Sequence, residues 1–359
     1  MNVFERALVA ARHQEPDEVP IVLQVYGLVL KAYPRVLEYD YYQDVRMQLE
    51  AKVAFLRRFP EVLNMPMGVF PEGGEFLGPV PCAFGAKLSW MKDAPPYISD
   101  YPIKTPEDID RLVEAGVPSP YEVGFVAETL DRIRYFWDWF PRDLRESHGC
   151  MDGTVFAPTF IEGAALAMGY DKFIIWLRLY PDAVHKWLRH VTRWVKRYCK
   201  AQEEITGKCR LFWLPDHMPS QVGPKQFEEF MLPYLNEVFG EYKGALRIWH
   251  NEGSCSHMLE SIDKIDAEVW HFGASDDPAL VKAKTHFCLQ GNLHPPGVMV
   301  KGTPEEVVEA SRKVIEAAGE GGGLWLSTGG GMAPGTPFQN IEAMIRAVER
   351  YGKYPLGRS

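Results

Sequence analysis

The stretch Leu246-Arg247-Ile248-Trp249-His250, followed by Asn251-Glu252-Gly253, shows the pattern that decides the fold. An apolar, β-rich run ends in a polar loop that contains glycine, which predicts a strand and the turn after it. The same pattern recurs with helical periodicity between its copies. It predicts further strands at 19–25, 153–158, 210–214, 268–272, 286–290 and 323–327. Strands that alternate with helices indicate a parallel sheet with right-handed crossovers.

The number of strands favours an α/β fold of the (β/α)8 TIM-barrel type. Seven strands are evident, and we expect an eighth between residues 60 and 150, which would close the barrel. No Gly-x-Gly-x-x-Gly motif follows the first strand, so an open, doubly wound dinucleotide-binding sheet is less favoured.

Residues 65–105 interrupt the alternation of strands and helices. Proline, glycine and aromatic residues dominate there, and Lys87-Leu88-Ser89-Trp90-Met91 reads as a strand in a hairpin-like insertion. The chain shows no internal repeat and no long linker. We therefore predict a single domain over residues 1–359, with one insertion near residues 65–105.

Several helices carry recognisable starting signals. Thr303-Pro304-Glu305-Glu306 places a capping residue, a proline and two acidic residues before an apolar-periodic run. Thr336-Pro337 predicts the same kind of start for the last helix. Tyr180-Pro181-Asp182 introduces a long amphipathic helix that runs to about Glu204.

Composition excludes several classes of protein. The chain of 359 residues carries a formal net charge of -9, whereas nucleic-acid binding rewards a basic face. No apolar run approaches the roughly 20 residues of a membrane-spanning helix. The first residues open directly into an amphipathic helix, so no secretory signal is expected. The six cysteines are scattered and form no Cys-x-x-Cys pair, which is typical of free thiols in the cytoplasm.

The candidate site residues follow the predicted strands. In a TIM barrel the reactive groups lie at the carboxyl ends of the strands, so polar residues at these ends are the natural candidates. Four of the ten histidines fall on this predicted rim. The rim residues in chain order are Asp216, His217, His250, Glu252, His271, Asn292 and His294, followed by Ser327-Thr328-Gly329-Gly330-Gly331.

His250 and Glu252 form the strongest candidate pair. They are two residues apart at a strand end, so both side chains can point into the barrel mouth. Imidazole and carboxylate are ligands for zinc, or a general base with its orienting partner. The alternative is a polar cap that satisfies backbone groups. The glycine run at 329–331 would either let a ligand approach the backbone amides or allow the chain to turn after the last strand.

The remaining candidates carry structural alternatives of similar weight. Asp216 is predicted to be catalytic, although the tight loop between Pro215 and Pro219 could need such a residue for its turn. His271 is either a catalytic group or a histidine of the core. The predicted substrate contacts are Tyr26, His217, Asn292 and His294.

Several segments resemble the uroporphyrinogen decarboxylase superfamily. They are distributed over both ends of the chain, so the resemblance spans nearly its whole length and implies a single (β/α)8 barrel. The segments are Glu5-Arg6-Ala7-Leu8, Glu15-Pro16-Asp17-Glu18-Val19-Pro20, Gly291-Asn292-Leu293, Gly302-Thr303-Pro304-Glu305-Glu306-Val307, Thr336-Pro337-Phe338-Gln339-Asn340 and Tyr351-Gly352-Lys353-Tyr354-Pro355.

Two branches of this superfamily imply different chemistry. Porphyrinogen decarboxylases carry Arg-Gln-Ala-Gly-Arg after the first strand, where it holds substrate carboxylates. Here Gln24-Val25-Tyr26-Gly27-Leu28-Val29-Leu30 occupies that stretch, and no arginine follows until Arg35. A polycarboxylate substrate is therefore disfavoured.

The cobamide-dependent methyltransferases form the other branch and act with a separate corrinoid protein. Their thiol-methylating members bind zinc through a His-x-Cys pair and a later Gly-Cys near the last strand. This chain has His250-x-Glu252 and Gly330 at those places, so the histidine ligand carries over and the two cysteines do not.

The resemblance therefore implies a corrinoid-dependent methyltransferase whose site no longer suits a thiol acceptor. We expect it to move a methyl group from a small donor, such as a methoxylated aromatic, to cob(I)alamin on a corrinoid protein. His250 and Glu252 would hold zinc or supply a proton to the leaving oxygen. The alternatives are methyl transfer from methylcobamide to tetrahydrofolate or a thiol, a lyase acting on another carboxylated substrate, and an inactive barrel that serves as a subunit. A homodimer is compatible with each of these.

Overall fold

The computed structural model describes residues 1–26, 38–74, 77–92, 94–148 and 151–357. Sixteen α-helices and ten strands lie in these ranges. The strands are β1 (Ile21–Leu23), β2 (Val62–Asn64), β3 (Lys87–Ser89), β4 (Tyr97–Asp100), β5 (Thr154–Phe156), β6 (Leu211–Pro215), β7 (Leu246–Asn251), β8 (Val269–Phe272), β9 (Cys288–Leu293) and β10 (Leu324–Thr328).

The helices fill the connections between the strands. In chain order they are α1 (Val3–Ala11), α2 (Glu38–Gln43), α3 (Val45–Arg58), α4 (Pro79–Ala83), α5 (Pro106–Glu114), α6 (Gly124–Trp139), α7 (Arg142–His148), α8 (Ile161–Leu166), α9 (Tyr170–Leu179), α10 (Pro181–Thr206), α11 (Pro224–Phe230), α12 (Leu232–Gly240), α13 (Leu259–Ile262), α14 (Pro278–Lys284), α15 (Pro304–Ala318) and α16 (Phe338–Tyr351). No helix in the described ranges is both long and apolar enough to cross a membrane.

Eight strands form one parallel sheet in the order β2-β1-β10-β9-β8-β7-β6-β5. The first strand pairs with the last, since Ile21 of β1 lies opposite Leu326 of β10, which is the neighbour relation of a (β/α)8 barrel. β2 and β5 are the two edges, and beside them the rings of Phe70 and Phe156 meet edge to face at 5.8 Å. The α/β barrel class is confirmed, and β2 is the eighth strand expected between residues 60 and 150.

The insertion predicted near residues 65–105 is present. β3 and β4 pair antiparallel, with Leu88 opposite Ile98 and Ser89 opposite Tyr97. The hairpin lies outside the parallel sheet and forms a two-stranded sheet of its own.

Helix α1 lies against the amino-terminal end of the sheet. The Trp325 indole N–H donates to the carbonyl of Ala7 at 2.9 Å, and the backbone N–H of Gly323 donates to Ala10 at 3.0 Å. The Arg210 guanidinium, just before β6, lies 5.7 Å from the centre of the Phe4 ring. The amino-terminal end of the barrel is covered in this way, and the opposite end is the one at which TIM barrels bind their ligands.

The sequence signals place most helix starts correctly. Thr303 caps α15 and forms the reciprocal capping box with Glu306. α10 begins at Pro181 and ends at Thr206, close to the predicted limit. The last helix begins one residue later than expected, because Pro337 is extended (φ -68°, ψ 141°) and takes the capping position before Phe338.

Candidate active site

The site lies at the carboxyl ends of neighbouring strands, and strand register brings its side chains together. Pro215 of β6 lies opposite His250 of β7, and His250 lies opposite His271 of β8. Parallel neighbours in register present their side chains on the same face of the sheet. His217 follows β6 by two residues and Glu252 follows β7 by one, so both enter the same space.

His217, His250 and Glu252 form a cluster that we call the metal-compatible trio. One possible ligand atom from each residue lies within 4.8 Å of the other two. The Nε2 atoms of His217 and His250 are 3.2 Å apart. His250 is buried, whereas His217 is partly exposed and Glu252 is exposed, so the trio faces the opening. No described cysteine belongs to this cluster.

Glu162 orients His217 and was not anticipated from the sequence. Its Oε2 atom lies 2.8 Å from Nδ1 of His217, and its Oε1 atom accepts the hydroxyl of Tyr170 at the start of α9. Burial works to raise the pKa of Glu162, but the hydrogen bond and charge of His217 outweigh it and the pKa is lowered. For His217 the burial that would lower the pKa is likewise outweighed by Glu162, and the pKa is raised. Glu162 follows β5 by six residues, and the strand-end rule that found the other candidates could have found it.

Asp216 positions the loop that carries Glu162. Its carboxylate is fully buried and accepts backbone N–H groups of Phe160, Ile161 and Glu162, together with that of Met218 at 3.2 Å. Burial, and then the nearby charge of Glu162, raise the pKa of Asp216 to about 7, against the opposing effect of the N–H donors. These hydrogen bonds fix the loop that carries Phe160 and the loop that carries Met218, and the predicted catalytic role of Asp216 stays a prediction.

His271 lies beneath His250 and is fully buried. Its Nδ1 atom is 2.8 Å from Nδ1 of His250, and its Nε2 atom is 3.0 Å from the carbonyl oxygen of Thr328. Burial lowers the pKa of His271 to about 4. Burial, followed by the neighbouring His271 and His217, lowers the pKa of His250 well below its ordinary value. Both rings are therefore neutral near pH 7.

The glycine run after β10 provides room for Glu252. The backbone N–H of Gly331 donates to Glu252 Oε2 at 3.2 Å. A Cβ atom on Gly330 would overlap the Glu252 carboxylate, with Cδ at 2.6 Å. The ring of Tyr26, a residue that follows β1, lies against Gly331. Its Cε2 atom is 2.5 Å from the position that a Cβ atom on Gly331 would take. The carboxylate of residue 252 thus occupies the space that a side chain at 330 would need.

Two predicted substrate contacts form hydrogen bonds to the backbone of neighbouring loops. Asn292 is buried, and its amide donates to the carbonyls of Gly273 at 3.1 Å and Asp276 at 2.7 Å, which ties down the loop after β8. His294 is exposed, and its Nδ1 accepts the N–H of Gly297 at 2.9 Å and so caps the short helix Pro295–Lys301. The structure brings Tyr26 and His217 to the trio, and the substrate contacts of Asn292 and His294 stay predictions.

Comparison with known proteins places this chain in a family. A family model described as uroporphyrinogen decarboxylase (URO-D) matches residues 3–351. The chain belongs to the uroporphyrinogen decarboxylase family. The resemblance noted in the sequence is therefore confirmed.

Relatives within the family are distant. The chain is 28% identical over 297 residues to a uroporphyrinogen decarboxylase of Danio rerio, covering 78% of this chain and 75% of that protein. It is 25% identical over 371 residues to one from an Anaeromyxobacter species, covering 96% and 98%. A solved methyltransferase from Methanosarcina mazei matches with a TM-score of 0.78 and 16% identity, covering 98% of this chain and 99% of that one. The structural likeness supports the barrel fold.

Proposed function

We propose that this protein is a corrinoid-dependent methyltransferase that takes a methyl group from a small donor, such as a methoxylated aromatic, and passes it to cob(I)alamin on a separate corrinoid protein. The observation that carries the proposal is the metal-compatible trio. Two imidazoles and one carboxylate converge at the barrel mouth of a family whose methyltransferase branch resembles this sequence.

The geometry of the trio fits zinc. Two nitrogen ligands 2.0–2.1 Å from a tetrahedral zinc lie about 3.3 Å apart, and the two Nε2 atoms are separated by 3.2 Å. The Nδ1 atom of each ring faces a partner, Glu162 for His217 and His271 for His250, which leaves both Nε2 atoms directed at the site. Glu252 is the exposed member, and one of its carboxylate oxygens lies within 4.8 Å of a nitrogen of each ring.

The donor set favours the release of a methyl group from oxygen. Thiolate ligands neutralise the charge of zinc, whereas two imidazoles and one carboxylate leave it a stronger Lewis acid. Zinc held by three protein ligands would supply a Lewis acid for the leaving oxygen at its open position. Cob(I)alamin would supply the nucleophile. The described residues orient the ligands: Glu162 and His271 fix the two imidazoles. The Tyr26 ring lies against Gly331, whose N–H binds Glu252.

A decarboxylase is the second candidate, since the curated relatives above carry that name. The described residues of the site disfavour it. The charged groups that raise the pKa of His217 are Glu162, Glu252 and Asp216, so a polycarboxylate would meet repulsion at the metal-free site. The stretch after β1 that holds arginines in the decarboxylases falls largely in 27–37, outside the described residues.

The test mixes the purified protein with a reduced corrinoid protein and a panel of methoxyarenes and methylamines. Loss of the cob(I)alamin absorbance with one donor is the expected result. Formation of cob(I)alamin from methylcobalamin only with a thiol or folate acceptor would favour the reverse transfer, and carbon dioxide release from a carboxylated substrate would favour the decarboxylase. His250→Ala should lower the rate by at least about 100-fold. A near-normal rate, or full activity without stoichiometric zinc, would refute the role given to the trio.

A further inference from the structure

One nitrogen of His271 faces both a hydrogen-bond acceptor and a hydrogen-bond donor. Nε2 lies 3.0 Å from the carbonyl oxygen of Thr328 and 3.2 Å from the backbone N–H of Gly330. A neutral imidazole nitrogen carries either a hydrogen or a lone pair. His271 can therefore bond to Thr328 or to Gly330, but not to both at once.

The choice at Nε2 determines the hydrogen bonding of His250. In a neutral ring the two nitrogens have opposite roles, so the state of Nε2 in His271 fixes the state of its Nδ1. That Nδ1 lies 2.8 Å from Nδ1 of His250, and one hydrogen must lie between them. The state of Nε2 in His250, which faces His217, is then fixed as well.

Two arrangements satisfy these contacts. In the first, His271 donates to Thr328 and accepts from Nδ1 of His250, so Nε2 of His250 presents a lone pair to the site. In the second, His271 accepts from Gly330 and donates to Nδ1 of His250, so Nε2 of His250 carries hydrogen and can donate to His217. Each arrangement holds one hydrogen on each of the two rings, so no net proton is gained or lost.

The separation from His217 decides which arrangement holds. Nδ1 of His217 faces the Glu162 carboxylate at 2.8 Å and carries hydrogen, so Nε2 of a neutral His217 presents a lone pair. In the first arrangement two lone pairs would then face each other at 3.2 Å, which requires either a metal ion or an additional proton between them. In the second, the two rings are joined by an ordinary N–H···N hydrogen bond.

We propose that His271 is a positioning residue that changes tautomer when a metal ion binds to the trio, exchanging its backbone partner from Gly330 N–H to Thr328 C=O. The inference rests on the proposed metal site. The exchange also links the metal to the turn that holds Glu252, because Gly330 is released next to Gly331, whose N–H binds the Glu252 carboxylate. Binding of the metal ion would thereby affect Glu252 and the imidazoles of His217 and His250 together.

The test is nitrogen-15 NMR of the histidine rings with and without zinc, at a pH of about 9 or above at which the His217 signals no longer change with pH. Without zinc we expect hydrogen on Nδ1 of His271 and on Nε2 of His250. With zinc we expect hydrogen on Nε2 of His271 and on Nδ1 of His250. Zinc content is measured in the same sample. If zinc is bound and the tautomer of His271 is unchanged, this inference is wrong and the metal site stands. If no zinc is bound, the metal site and this inference fail together.

Two variants of His271 provide an independent readout. His271→Phe keeps a buried ring and removes the hydrogen bond to His250, so zinc affinity of the folded protein should fall by about 10- to 100-fold. His271→Gln retains an acceptor and a donor and should recover part of that loss. Unchanged zinc affinity in His271→Phe would contradict the inference, because a purely structural role affects stability alone.

Discussion

Glycine at position 330 should be required for the carboxylate of Glu252 to reach the site. In the structure an added Cβ at 330 would overlap that carboxylate, whose Cδ lies 2.6 Å away. Gly330→Ala must therefore displace Glu252, and zinc affinity should fall about as far as in Glu252→Ala. We expect a loss of about 100-fold or more, roughly 3 kcal/mol, for a lost ligand.

Backbone strain is a separate consequence of the same substitution. Gly330 has φ of +98°, where a side chain costs roughly 1–2 kcal/mol of stability. Gly335→Ala is a matched control, because Gly335 has φ of +91° and the nearest atom to its added Cβ is Val300 Cγ1 at 3.7 Å. The control should lose stability and keep its zinc affinity.

The assay combines a competition titration of zinc against a chromophoric chelator with urea unfolding of each variant. The double variant Glu252→Ala with Gly330→Ala should bind zinc no more weakly than Glu252→Ala, because the group that clashes is gone. Wild-type affinity in Gly330→Ala, or losses that simply add in the double variant, would refute the reasoning.

Three further predictions concern the surroundings of the trio. Glu162 holds the pKa of His217 above its ordinary value of 6.5, so a proton competes with zinc to a higher pH. Zinc affinity should therefore rise with pH through a midpoint above 6.5, and Glu162→Gln should move that midpoint to lower pH. A shift to higher pH in this titration would contradict the pairing of Glu162 with His217. Asp216→Asn places an N–H₂ group among four backbone N–H donors, so the free energy of unfolding measured in urea should fall by about 3 kcal/mol. A variant as stable as the wild type would show that these hydrogen bonds contribute little. His294→Ala should lose about 1 kcal/mol of stability as a lost helix cap and keep the methyl-transfer rate, whereas a large fall in rate would return His294 to the substrate site.

The sequence alone determined the architecture and the rim of the site. Periodicity placed the strands, since buried parallel strands are apolar runs that end in polar loops. The barrel rule then selected His250, His271 and Glu252 as rim residues before any contact was known. The resemblance to the uroporphyrinogen decarboxylase superfamily was also visible in short segments at both ends of the chain, and the family match over 3–351 confirms it.

Which of these residues lie together depends on long-range contacts of the folded chain. His217 contacts His250, which is 33 residues away in sequence, and Glu162, which is 55 residues away. Glu252 contacts Gly331, which is 79 residues away. Such contacts depend on strand register and on side-chain rotamers, which local sequence does not encode. For that reason the sequence predicted His217 as a substrate contact and omitted Glu162, whereas the folded chain places His217 as the third member of the trio and Glu162 behind it.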